Sequence, residues 1–132
     1  MTEPFRFPLR VYWEDTDAGG IVFYANHLKF FERARTEWLR ARGFGQESLR
    51  VRTGVLFVVA ETSLRYLRPA RLDDLLEVTV VVRERGRASL VLDQQSWRAG
   101  ELLCEGSIRL GCVAAATLQP CRIPNDLLDA IA

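Results

Sequence analysis

Residues 24 to 43 read YANHLKFFERARTEWLRARG, and their apolar positions recur with the spacing of a helix. Leu28, Phe31 and Trp38 lie three and seven residues apart, which places them on one face. Neighbouring apolar residues make this face wider than the stripe of an ordinary surface helix. The segment therefore predicts a helix of about 25 Å that sits in the concave face of a sheet.

Both ends of this helix carry signals in the sequence. Asn26 is a residue type that favours the N-cap position. Gly43 can adopt the left-handed conformation that ends a helix, and Phe44 follows it to supply a hydrophobic contact. We therefore expect the helix to run from about Tyr24 to Arg42.

Five further stretches are rich in alternating or branched apolar residues and predict strands. They are Phe5–Trp13, Val55–Leu67, Leu75–Arg85, Ala88–Trp97 and Leu102–Val113. Tight turns at Gly86, which we expect to have a positive φ, and at Ala99-Gly100 make the last three strands antiparallel. Pro8 indicates that the first strand either begins after it or lies at an edge of the sheet. The prediction is an α+β fold, with one curled antiparallel sheet of five to six strands around a long central helix.

Composition and charge exclude several classes of function. The chain has 132 residues, enough for a single domain over residues 1–132. Eighteen basic and 17 acidic residues leave a net charge of +1, which gives no general attraction to nucleic acid or to an anionic membrane. No apolar run reaches the roughly 18 residues of a membrane helix. The N-terminal residues lack the apolar segment of a signal peptide, so we expect a cytoplasmic protein.

The cysteines and the single histidine do not suggest a metal site. Cys104, Cys112 and Cys121 are spaced by eight and nine residues, and His27 is far from them in the chain. An odd number of cysteines without a close pair is typical of reduced thiols. We expect no metal, and a packing or helix-start role for His27.

Chemistry is concentrated between Glu14 and Asn26, where three acids precede Gly19-Gly20 and the start of the helix. One interpretation is a solvated loop with an Asx-turn. A calcium loop does not fit, because the fifth and twelfth positions counted from Asp15 are not the required ligands. A third interpretation places a carboxylate beside the free amides of a helix N-terminus, where it could attack a carbonyl or activate a water molecule.

Two long motifs carry a family resemblance. The first runs from Val11 to Leu39 and contains D-T-D-A-G-G-I-V and F-F-E-R-A-R-T-E-W-L, and the second is R-Y-L-R-P-A-R-L-D-D at residues 65–74. Together they resemble the hot-dog-fold acyl-CoA thioesterases of the 4-hydroxybenzoyl-CoA thioesterase type. The similarity is greatest to the YbgC-like branch, which is often found with the Tol-Pal envelope system.

The resemblance implies an acyl-CoA thioesterase without a cofactor. Asp17 matches the catalytic carboxylate, acting as nucleophile or general base, and the backbone N–H of Tyr24 matches the group that polarises the thioester carbonyl. Gly20, Ile21 and Val22 match backbone that binds the substrate. Thioesterases of this type form dimers by joining sheets edge to edge, with the site at the interface, and the dimers pair into homotetramers.

Other features leave alternatives open. Trp13 and Tyr24 stand where the YbgC-like branch usually has tyrosine and histidine. Arg83, Arg85 and Arg87 are either a clamp for the phosphates of coenzyme A or a solvated hairpin tip. The substrate carrier could be an acyl carrier protein, the acyl group could be 4-hydroxybenzoyl, or the protein could be a non-catalytic acyl-thioester-binding module.

On the predicted helix, a further expectation concerns Glu32. Glu32 either forms an ion pair with Arg33 or Arg35, which we favour, or faces the acyl pocket.

Overall fold

The computed structural model describes residues 3–131, in which one antiparallel sheet curls around a long helix. The strands are β1 (Phe5–Arg10), β2 (Val55–Tyr66), β3 (Leu75–Arg85), β4 (Ser89–Arg98) and β5 (Glu101–Ala114). The helices are α1 (Asn26–Ala41), α2 (Gln46–Thr53) and α3 (Asn125–Ala130). The strand order is β1-β3-β4-β5-β2, and every neighbouring pair is antiparallel. The predicted α+β architecture is confirmed, with five strands.

The core lies between α1 and one face of the sheet. Phe30, Phe31 and Ala34 of α1 are fully buried, and burying one large apolar side chain contributes about 1.5–3 kcal/mol. The helix approaches the sheet closely at Gly106 of β5. A Cβ atom there would lie 2.3 Å from Leu64 Cδ2 and 3.4 Å from the Phe31 ring. Glycine at this position is therefore required mainly by Leu64 and the carbonyl of Ser63, 2.6 Å from that Cβ position, on strand β2, with the Phe31 ring next in distance.

The C-terminal end of α1 matches the prediction. Gly43 has φ +85°, the amide of Phe44 donates to the carbonyl of Leu39 at 2.9 Å, and the amide of Gly43 donates to Arg40 at 3.0 Å. These two bonds form a Schellman motif. The N-terminal prediction is wrong, because Ala25 occupies the N-cap position and Asn26 is the first helical residue.

Differences elsewhere have local physical causes. The first strand ends at Arg10, because a single 3₁₀ turn forms over Trp13–Asp15. The sequence does not predict helix α2, because Leu49 is its only buried residue.

Gly86 does not have a positive φ. Instead, a Cβ atom there would lie 3.0 Å from Ser89 Oγ, so a close approach explains this glycine. Pro8 lies on edge strand β1, as predicted.

The three cysteines are free thiols. The Sγ atoms of Cys112 and Cys121 lie 3.8 Å apart. Burial, together with Cys121, raises the pKa of Cys112 to about 12. No helix within residues 3–131 is long and apolar enough to span a membrane.

Candidate active site

The segment between β1 and α1 forms a tight loop around Asp17. The amide of Asp17 donates to the carbonyl of Ile21 at 2.9 Å, and the amide of Gly20 donates to the carbonyl of Asp17 at 3.0 Å. Gly20 has φ +78°, a conformation that glycine adopts without strain. The loop therefore turns back on itself within five residues, with the turn at Ala18-Gly19 and Asp17 at its first position.

The carboxylate of Asp17 is exposed and partly oriented by its own loop. Its Oδ1 accepts a hydrogen bond from the amide of Gly19 at 2.8 Å, which is the Asx-turn that the residue types allow. A Cβ atom at position 19 would lie 3.2 Å from that oxygen, so glycine gives this contact room. Oδ2 has no hydrogen-bond partner among residues 3–131 and is free to act on another molecule.

A cavity of about 460 Å³ opens beside this carboxylate. Its walls are Trp13, Thr16, Asp17, Ala18, Gly20 and Leu72. The side chain of Trp13 is 80% exposed and forms an apolar rim that has nothing packed over it in the single chain. The acid therefore faces a space of substrate size with one aromatic wall.

Asp15 anchors the loop from beneath. Its side chain is buried, and its Oδ2 accepts from the amide of Tyr12 at 2.8 Å. Its carbonyl oxygen accepts from the amide of Phe23 at 3.0 Å and from Asn26 Nδ2 at 2.9 Å. Asn26 therefore joins the loop to α1 rather than capping the helix, and these bonds fix the distance between Asp17 and the helix start.

The segment between β2 and β3 anchors the other side of the loop. The amide of Val22 donates to the carbonyl of Ala70 at 2.8 Å, and Ile21 forms an isolated antiparallel bridge with Arg71. Asp74 holds that segment in turn, because it accepts from the amide of Arg71 at 2.8 Å and from Arg98 at 2.7 Å. The second sequence motif, residues 65–74, is thus hydrogen-bonded to the loop of the first motif.

The start of α1 leaves a donor free next to this loop. The amide N–H of Tyr24 makes no hydrogen bond within residues 3–131, while its carbonyl accepts from the hydroxyl of Tyr66 at 3.0 Å. Burial, with the nearby Cys104 and Tyr24, raises the pKa of Tyr66, so its hydroxyl keeps the proton that it donates. Tyr66 therefore fixes the peptide before the helix while the amide of Tyr24 stays available.

His27 lies one helical turn further on and is buried. Its ring packs edge-on against Phe30 and Tyr66, with centroids 5.7 Å and 5.5 Å away. Its Nδ1 is buried without a hydrogen-bond partner, and burial lowers the pKa of the imidazole. His27 is therefore a neutral packing residue at the start of α1, as predicted.

The three arginines of the hairpin are not arranged as a regular strand would place them. A bulge between Val82 and Glu84 breaks the alternation at Arg83, whose guanidinium lies 2.7 Å from Ser107 Oγ and 3.5 Å from Asp93. Arg85 donates to the carbonyl of Leu128 at 2.8 Å. Arg85 and Arg87 line a cavity of about 430 Å³ together with Gly86, Leu128 and Asp129.

The expected ion pair of Glu32 does not form within the described part of the chain. Arg35 instead donates from Nη1 to Gln94 Oε1 at 3.0 Å, and Arg33 lies over the ring of Phe30 at 5.9 Å. The sequence pattern did not show that Asp15, Tyr66 and Gln94 hold the loop and α1 in place through hydrogen bonds. Their partners lie on other elements, so no local spacing marks them. Among residues 3–131, no group of three potential ligand side chains could hold a metal ion.

The chain is similar to known thioesterases over nearly its whole length. The family model described as "Thioesterase-like superfamily" matches residues 11–131. The acyl-CoA thioesterase YbgC of Haemophilus influenzae is 41% identical over 93% of this chain and 90% of its own length. The acyl-CoA thioester hydrolase YbgC of Escherichia coli O157:H7 is also 41% identical, over 96% of this chain and 95% of its own.

Solved structures show the same fold. A hypothetical protein from Aquifex aeolicus has a TM-score of 0.91 and 27% identity, with 98% of this chain and 100% of that chain covered. A probable thioesterase from Bartonella henselae has a TM-score of 0.87 and 30% identity, with 92% and 100% covered.

The burial of His27 predicts how stability depends on pH. The folded state lowers the pKa of this imidazole from its ordinary value of about 6.5. Below that pH the unfolded chain binds the proton more readily, so the free energy of unfolding falls as the solution is acidified. Urea unfolding between pH 8 and pH 5.5 should show a smaller loss of stability for His27→Phe than for the wild type. Equal losses in the two proteins would contradict the buried, neutral imidazole.

Proposed function

Because the chain belongs to the thioesterase-like superfamily, we propose that it hydrolyses acyl-CoA thioesters to the free acid and coenzyme A, with Asp17 as the acting carboxylate. The YbgC relatives that are 41% identical are named acyl-CoA thioester hydrolases or thioesterases, which supports both the reaction and the carrier. The observation that carries the role of Asp17 is that its Oδ2 has no hydrogen-bond partner among residues 3–131 while the residue lines a cavity of about 460 Å³. The amide of Tyr24, seven residues further along the chain, is also without a partner within those residues.

The proposed chemistry needs only groups of this chain and a water molecule. The amide of Tyr24 donates to the thioester oxygen, where negative charge develops during attack. Asp17 either takes a proton from the attacking water or attacks the carbonyl carbon itself to form a mixed anhydride, which water then opens. In both routes the C–S bond breaks and the departing thiolate takes up a proton. Single turnover in ¹⁸O-water, followed by mass analysis of Asp17, identifies the anhydride route if Asp17 gains ¹⁸O, because water that opens the anhydride at the aspartyl carbonyl leaves its oxygen there. Trapping of the anhydride with hydroxylamine tests the same route when water attacks the acyl carbonyl instead.

The backbone around the glycines completes the proposed substrate site. Gly20 lies on the cavity wall, Ile21 is half-buried, and Val22 is buried. We propose that Gly20, Ile21 and Val22 form the stretch along which the thioester lies, since glycine lets a ligand approach the main chain closely.

Substitution of Asp17 tests the catalytic assignment. Asp17→Asn keeps an oxygen for the amide of Gly19, so the loop should persist while turnover falls by about 10²–10⁴-fold. The matched control is Asp73→Asn, because Asp73 is an exposed acid with φ +70° that asparagine also tolerates. Thiol release from short, long and aromatic acyl-CoAs measures turnover. Wild-type rates in the Asp17 variant would contradict the role, and acyl-CoA binding without thiol release would indicate a binding module.

We further propose that Arg83, Arg85 and Arg87 contact the phosphates of coenzyme A. Arginine suits phosphate geometry, and the guanidinium of Arg87 makes no ion pair within residues 3–131. Arg83 would have to exchange its contacts with Asp93 and Ser107, so we expect the smallest contribution from it.

A truncated substrate tests this clamp. The Arg85→Ala/Arg87→Ala double variant should raise KM for an acyl-CoA by about tenfold or more, while KM for the matching acyl-pantetheine, which lacks the nucleotide, should not change. Arg50→Ala, at an exposed arginine of α2, is the control. An equal rise in KM for both substrates would contradict the proposed contacts between these arginines and the phosphates. Faster hydrolysis of the same acyl group on acyl carrier protein would contradict coenzyme A as the carrier.

We propose a homodimer that pairs into a homotetramer in the cytoplasm. Strand β2 is an open edge of 12 residues on which Val58 and Val59 are 39% and 52% exposed. Exposed apolar side chains continue this surface to the start of α1, and they are Phe23, Tyr24, Leu28 and Tyr66. Long apolar edges are normally covered, and pairing with a second copy would also close the site. The free thiols fit a reducing compartment.

The mass in solution tests the assembly. Sedimentation over a dilution series should give two or four times the 15.0 kDa of one chain, with turnover per chain falling as the species dissociates. A single 15.0 kDa species with full turnover would show that one chain contains the whole site.

A further inference from the structure

A polar network crosses the core between α1 and the sheet. Gln94 of β4 has no exposed surface, and its Oε1 accepts from Nη1 of the buried Arg35 at 3.0 Å. Its Nε2 donates to the carbonyl of Phe31 at 3.0 Å and to the carbonyl of Thr79 at 3.3 Å. One amide side chain thus joins α1, β4 and β3.

This network is not explained by packing alone. The side chain of Arg35 is buried, yet no carboxylate oxygen within residues 3–131 lies within 4.0 Å of its guanidinium nitrogens. Burial lowers the pKa of Arg35, and the charge of Glu32 offsets this only in part. An apolar pair of similar size would avoid the desolvation of a guanidinium. These buried polar groups therefore point to a requirement for geometry, because hydrogen bonds have a preferred direction.

The geometric requirement follows from how α1 meets the sheet. Phe31, Ala34 and Trp38 make apolar contacts, which have no preferred direction and resist sliding only through shape. A slip of one residue along a helix moves it by about 1.5 Å and turns it by about 100°. The hydrogen bond from Gln94 to the carbonyl of Phe31 is directional, so it fixes both the axial position and the rotation of α1.

The same helix begins at the candidate active site. Tyr24 lies two residues before Asn26, the first residue of α1, and the amides of His27 and Leu28 donate to the carbonyls of Tyr24 and Ala25 at 3.4 Å and 3.1 Å. Asn26 is in turn about 7.5 Å from Phe31 along the helix axis. Because a helix is stiff along its axis, a contact at Phe31 sets the position of the peptide groups at the N-terminal end. An error of about 1 Å in such a position can cost about 10²-fold in rate.

We infer that Gln94 and Arg35 are positioning residues for thioester hydrolysis, which hold α1 where the amide of Tyr24 meets the developing oxyanion. This inference rests on the proposed function. Neither side chain touches the substrate. Gln94 acts through its bond to Phe31, and Arg35 acts by holding the orientation of the Gln94 amide.

The test compares two buried positions on the same face of β4. Gln94→Met removes the network at similar length, whereas Leu92→Ala, two residues earlier, creates a cavity and leaves the network intact. Both variants should unfold at lower urea concentrations. At a temperature where both are folded, kcat of Gln94→Met should fall about tenfold or more with KM within twofold, while kcat of Leu92→Ala stays near wild type.

A second variant and a second measurement keep the inference open to refutation. Gln94→Glu preserves the acceptor for Arg35 but cannot donate to Phe31, so it should lose kcat as Gln94→Met does. Hydrogen exchange over residues 24–31 should accelerate in both Gln94 variants more than in Leu92→Ala. Unchanged kcat and unchanged exchange in a folded Gln94 variant would overturn the inference. A wild-type protein that releases no thiol would instead overturn the proposed function, while the exchange comparison would still decide whether Gln94 positions α1.

Discussion

The structure depends on the burial of the wide apolar face of α1. Phe30, Phe31 and Ala34 cannot all leave water unless a sheet curls around the helix, and the antiparallel strands provide that surface. Once α1 lies there, its N-terminal amides come to the rim of the sheet, where they need partners. The bonds of Asp15 to Phe23 and Asn26 tie the segment between β1 and α1 to the helix start, so Asp17 lies near the same rim. The position of the candidate site therefore follows from the packing of one helix.

Within that frame, the candidate site is built from main-chain geometry more than from an unusual charge environment. Gly20 supplies the left-handed turn, Gly19 donates to the carboxylate, and Asp15 ties the loop to Asn26. Each bond is modest alone, about 1 kcal/mol net. Together they fix the position of Asp17 relative to the helix start, and accurate placement is what acyl transfer requires.

The sequence predicted the elements whose bounds depend on local residue patterns. Periodicity located α1, Gly43 located its end, and alternation located β3 to its exact residues. Several errors arise where a contact outside the local pattern decides the structure. Asn26 bonds to Asp15 instead of capping, the bulge at Arg83 disturbs the arginine face, and α2 depends on one buried side chain. In the site, residue types alone left a solvated loop open, and the roles of Asp17 and Tyr24 came from the family resemblance. Gln94 carried no signal, because its partners are main-chain carbonyls of other elements.

The strand order has a consequence for how the protein forms during synthesis. The three central strands β3, β4 and β5 are consecutive in the chain, whereas β1 and β2, on the edges, precede them and pair across long separations. As the polypeptide leaves the ribosome, its first half emerges with a strongly apolar helix and no sheet to receive it. That half carries the candidate carboxylate loop, so the proposed site waits longest for its packing partners and is completed only when the C-terminal meander arrives.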